Sequence, residues 1–157
     1  LVSREWSLKH LHRLIVESAV YRQSSSAGNT KALAVDAPNS LFWRQNLKRL
    51  EAESMRDVVL NVTGELSFEM HGKAFYPDLP PEVLSTQSRP GEGWGKSTPD
   101  QLARRSVYSF VKRTLKAPMM ETFDAANPDQ PIAARVVTTI APQALVWFNS
   151  QFMEQRS

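Results

Sequence analysis

Leu8, Leu11, Leu14, Ile15 and Ala19 recur at the three- and four-residue spacing of one helical face, and Ser7 precedes them as an N-cap, which predicts a helix over about 8–21. The next stretch, 23–36, is small and polar, with Ser24-Ser25-Ser26 and Gly28-Asn29, and reads as a loop closed by Pro38-Asn39-Ser40. A second helical pattern carries Leu47, Leu50, Ser54, Met55, Val58, Val59 and Val62 over about 46–63, and Gly64 stops it. Ser106 to Val111 alternates, with Tyr108 and Phe110 on one side and Val107 and Val111 on the other, as a short strand does. Pro142 marks a third helix start, and Leu145, Phe148 and Phe152 share its face to the end of the sequence.

Between the second helix and the strand, residues 64–99 hold five of the ten prolines, most of the glycine and little periodicity. A loop of this length within one domain is uncommon and tends to meet a partner. The fold expected is mainly α: an irregular helical domain with a long Gly/Pro-rich loop and a minor β element, its core formed by the helices near 8–21, 46–63 and from 142 onward.

Composition changes this picture little. A chain of 157 residues with 41% hydrophobic and 22% charged residues is an ordinary globular length and mixture. The 19 Lys and Arg are interspersed with 16 Asp and Glu, giving a net charge of +3 without the basic stripe of a nucleic-acid binder, so no nucleic-acid partner is expected. The absence of Cys removes disulfides, thiolate nucleophiles and covalent haem attachment from this stretch. No apolar run approaches the roughly 20 residues that span a bilayer.

Few constellations carry chemistry. Gly95-Lys96-Ser97 matches the tail of a phosphate-binding loop, but Pro90 stands where the motif needs its first glycine and Pro99 follows directly, so a plain turn is the better reading. His10 and His12 project to different sides of a helix, His71 is isolated, and no metal ligand set is expected. Arg49, Glu53 and Asp57 follow one another at four-residue intervals as an ion-pair ladder, and the neighbouring guanidiniums, Arg56 included, favour the charged form of both acids. Arg104, Arg105, Lys112 and Arg113 around Tyr108 and Phe110 are read as cations guarding an edge strand rather than as a base-stacking surface.

Several stretches in order resemble one family: Trp6 to Ile15, Tyr21-Arg22-Gln23-Ser24-Ser25, Trp43-Arg44-Gln45-Asn46 with Arg49 to Glu53 and Arg56-Asp57, Gln87 to Gly91, Arg104 to Tyr108 with Lys112-Arg113, Glu121 to Asp124, and Pro142 to Leu145 with Asn149 and Phe152. Together they are similar to the planctomycete-specific C-terminal domain of unknown function found in large cytochrome-c-like multidomain proteins. The resemblance implies an exported protein, no cofactor in this segment with haem c, where relatives carry it, held in an upstream domain, and a domain extending past both ends of the sequence. Relatives often carry a Cys three residues before the arginine matching Arg135; Ile132 stands there in this chain.

The expected function is a non-catalytic structural or interaction module whose partners are other domains of the same polypeptide, or a protein or polysaccharide, contacted through the 64–99 loop. The alternative is part of an enzyme, with polysaccharide as the substrate class considered, in which Arg105, Tyr108, Glu121 and Asp124 line a cleft completed by regions beyond this sequence.

Overall fold

Ser7 caps a helix as its position promised: its hydroxyl accepts the His10 amide hydrogen at 3.3 Å and opens α1, Leu8–Glu17. The computed structural model describes residues 2–26 and 28–156, and the chain divides into two units, Leu1–Arg49 and Leu50–Ser157. In the first unit α1 ends four residues short of the expected 21, because Ser18 turns its hydroxyl onto the Ile15 carbonyl at 2.7 Å and receives the Tyr21 amide at 3.2 Å. The expectation that this helix supplies core is corrected: α1 buries no residue, and Leu8 and Leu14 are 63% and 55% exposed. The expected loop over 23–36 also contains a helix, α2 at Thr30–Val35, capped by Asn29, whose side-chain Oδ1 accepts the Ala32 amide hydrogen at 3.0 Å.

The first unit is tied by side chains. Asn39, buried and held at φ 60°, donates to the Arg44 carbonyl at 2.7 Å and to Asn46 Oδ1 at 2.9 Å, and accepts from the Arg44 amide at 3.1 Å. The Asp36 carboxylate accepts the amides of Ser40 and Leu41 at 2.9 and 2.8 Å, while the Trp43 indole donates to the Asp36 carbonyl. Asn is among the few residues that tolerate left-handed backbone and supply three such bonds at once.

In the second unit the helix expected from 46 starts only at Ala52, as α3, Ala52–Val62. Its other end follows the sequence signal. Gly64, at φ 78°, lets the Glu65 amide reach the Leu60 carbonyl at 2.8 Å and its own amide reach Asn61 at 3.2 Å, the paired bonds of a Schellman turn. The buried stripe of α3 is Ala52, Arg56 and Leu60, four residues apart.

Arg56 stands where an apolar residue is expected. Its guanidinium donates to the carbonyls of Arg104 at 3.0 Å and Leu102, and to Ser106 Oγ at 3.2 Å, and it lies 4.9 Å from the centre of the Phe75 ring. Arg104 repeats the device, donating to the carbonyls of Lys73 and His71 and stacking on the Tyr108 ring at 4.1 Å. Two buried guanidiniums thereby satisfy carbonyls that a sheet would otherwise pair.

The minor β element takes the form of isolated bridges. Ser67 and Phe75 pair in parallel fashion with Arg104 and Ser109, through bonds such as Phe75 amide to Tyr108 carbonyl at 2.9 Å. The strand expected over Ser106 to Val111 is corrected to a 3-10 turn at Ser106–Tyr108. The physical reason is Asp57, whose carboxylate takes the Ser106 amide at 2.7 Å and bends the chain where a ladder bond would run. Within 64–99 the chain forms α4 at Pro81–Ser85 and places Phe75, 1% exposed, in the core.

Tyr76, Trp94 and Phe110 form an aromatic cluster with centroids 4.7–5.9 Å apart. The phosphate-loop tail belongs to this packing. A Cβ at Gly95 would sit 2.6 Å from the Tyr76 ring, and the Ser97 hydroxyl accepts the Tyr76 amide at 2.8 Å. A capping box at Thr98 and Gln101 then opens α5, Pro99–Leu102.

The last helices are α6, Pro118–Thr122, α7, Ala141–Asn149, and α8, Gln151–Glu154. Pro142 does sit in the first turn of α7, but the helix does not continue, because Ser150 interrupts it and caps α8. Of the expected face only Phe152 packs inward, its ring under Arg56 and Arg156. Gln143 is buried and Trp147 packs on Phe123 at 5.5 Å, whereas Leu145 and Phe148 point to solvent. The core is Ala52, Leu60, Phe75, Leu115 and Phe123.

Candidate functional site

A cleft of about 480 Å³ opens in the second unit among the start of α3, residues 105–117, α6 and the chain that follows it. Its apolar lining includes Phe110, Leu115 and Met120, and its polar lining includes Glu51, Glu53, Asp57, Arg105, Lys116, Glu121 and Arg135. Of the four residues expected to line a cleft, Arg105 and Glu121 do.

Tyr108 and Asp124 stand outside the cleft lining. The Tyr108 hydroxyl accepts the His71 amide at 2.8 Å while its ring carries Arg104. Asp124, at φ 59°, accepts the Thr138 amide at 2.8 Å and the Thr138 hydroxyl at 2.9 Å, fixing the approach to α7.

The carboxylates of the cleft are engaged. Glu53 receives both terminal nitrogens of Arg135, at 2.6 and 3.0 Å, and Glu51 lies 3.6 Å from the same guanidinium. Glu121 is 3.9 Å from Lys116, and Asp57 holds the Ser106 amide and stands 3.8 Å from Arg56. Glu53, expected in a ladder along the helix, also takes a long-range partner, Arg135, across 82 residues of sequence.

Electrostatics follow from this pairing. Burial pulls the Glu53 carboxyl upward, but the hydrogen bonds and charge of Arg135 outweigh it and hold the group below its ordinary 4.5. Arg135 moves the opposite way, raised chiefly by its hydrogen bond to Glu53. Arg56 is pushed down to about 10 by burial, with Asp57 opposing and Arg156 adding to the shift, and it remains a cation at neutral pH. A carboxylate stabilised in its charged form is a poor general acid.

Sequence reasoning passed over Arg135 as a partner of Glu53 and Arg56 as a buried residue. The second had a signal, since Arg56 lies on one stripe with Ala52 and Leu60. Among the described residues, no group of His, Cys, Asp and Glu is placed to hold a metal ion, and no helix is long and apolar enough to cross a membrane.

The chain is mostly helical and irregular, and its second unit is organised by buried guanidiniums in place of a sheet. The chain belongs to the PSD1 family, described as protein of unknown function (DUF1553), whose model matches residues 1–157. No curated protein and no solved structure matches it.

Proposed function

We propose that this chain is a structural and interaction module without chemistry of its own, working inside a larger exported, cytochrome-associated planctomycete protein whose haem c is held by an upstream domain. The module is one domain that extends beyond this sequence at both ends. The observation that supports the reading is the state of the cleft carboxylates. Glu51, Glu53, Asp57 and Glu121 each stand against a cation or a backbone amide, an arrangement that suits a scaffold.

The contact surface lies on the 64–99 segment, where Phe68 and Met70 are 69% and 62% exposed. Deleting that segment would remove Phe75 from the core, so its surface is tested by substitution. Cross-linking mass spectrometry on the full-length protein is expected to join Lys73 to another domain of the same polypeptide, and Phe68→Ser with Met70→Ser to abolish that link. Retention of the link in the double variant would overturn this surface.

A second reading, part of an enzyme acting on polysaccharide, draws on Arg105 and Glu121 standing on one cleft. It predicts polysaccharide turnover by the full-length protein that Glu121→Gln eliminates; unchanged turnover in that variant removes it.

A further inference from the structure

The cleft has one wall unlike the others. Ala126, Pro128 and Arg135 contribute to it from the irregular stretch between α6 and α7, while Glu51, Glu53 and Asp57 face it from α3 and the residue that caps it. Among the described residues, no backbone–backbone hydrogen bond joins 126–137 to another part of the chain. Its ties are made by side chains: Arg135 to Glu53 and Glu51, Asp129 to Arg113 at 2.6 Å, and, at the α7 end, Thr138 to Asp124. Ser106, by contrast, is held twice over, its amide donating to the Asp57 carboxylate and its hydroxyl accepting from the buried Arg56.

We propose that residues 126–137 form a strap closing one side of the cleft, and that the two-pronged Glu53–Arg135 pair is its latch. The Arg113–Asp129 pair is the more exposed of the two ties, with side chains 72% and 40% accessible, and a pair of that kind contributes little. The latch is half-buried, at 34% and 30%, and has fork geometry, so it holds most of the strap's closure. Releasing it frees the twelve residues of the strap, which no ladder restrains, while α3 and α6 stay packed on each other. The latch governs access to the cleft whichever of the two functions the chain serves.

The chain has no Cys, so one introduced thiol reports access cleanly. Ala117→Cys places it on the cleft lining, and Ala103→Cys places a reference thiol outside the cleft. Alkylation of the full chain at low salt is expected to be at least fivefold faster at position 117 when Glu53→Gln is added, with position 103 unchanged. Raising salt to about 1 M should bring the unmodified latch toward the variant's rate, since exposed and half-buried ion pairs weaken as screening lengths shrink. Arg113→Gln should change the rate less than twofold. Equal rates at position 117 with and without Glu53→Gln would overturn the latch, and so would parallel acceleration at both positions, which marks general loosening instead.

Discussion

The two units solve the same problem at different range. In Leu1–Arg49, Asn39 and Asp36 bond groups four to seven residues away and knit a local turn. In Leu50–Ser157, Arg56 reaches acceptors 46 to 50 residues away, and it joins segments that no helix or sheet would bring together. The comparison teaches what each polar residue is for. A short amide suits a turn, whereas a long, forked and permanently charged side chain can serve three acceptors across a core.

The sharpest way to break the comparison is Arg56→Met. It leaves the carbonyls of Leu102 and Arg104 without their donor in a buried site, and should cost about 3–5 kcal/mol in the second unit, read by denaturant unfolding followed through Trp147 and Trp94. Asn39→Ala removes three bonds at a left-handed position and should cost about 2–3 kcal/mol, but only in the first unit, as Trp43 fluorescence reports. If both substitutions melted both units alike, the distinction between local and long-range hubs would fail.

The latch gives a smaller effect with a pH signature. Because the Glu53 pKa is lowered in the folded chain, its contribution is present above the ordinary 4.5 and is lost as pH falls through the lower folded value. Glu51, Glu53 and Arg135 face one another there. Glu53→Gln should therefore cost about 1 kcal/mol near pH 7 and nothing once the carboxyl is protonated in both states. A constant difference from pH 7 to pH 2 would contradict the pairing. Smallest of all, Ser7→Ala should lower helicity of α1 by the roughly 0.5–1 kcal/mol of a lost cap, visible in circular dichroism, and leave the second unit untouched.

What could be read in advance was local. Ser7, Gly64 and Pro142 mark helix ends because capping depends on a few adjacent residues. The alternation of Val107, Tyr108, Phe110 and Val111 misled, since Tyr108 and Phe110 turn to different partners, Arg104 and the Tyr76–Trp94 cluster, and need no common face. Leu145 and Phe148 misled in the same way, because a helix with apolar residues on several sides does not declare which side is inward. The site was half legible: Arg105 and Glu121 share the cleft, but the Glu53–Arg135 pair spans 82 residues and left no spacing to find.

The central claim is that Arg56 is a fixed strut of the core rather than a solvated charge. Nitrogen-15 NMR of its guanidinium at neutral pH tests this directly. The structure predicts resolved Nη protons that exchange slowly with water and restricted rotation of the group. A single averaged signal, exchanging as fast as that of Arg13 on the surface, would contradict it.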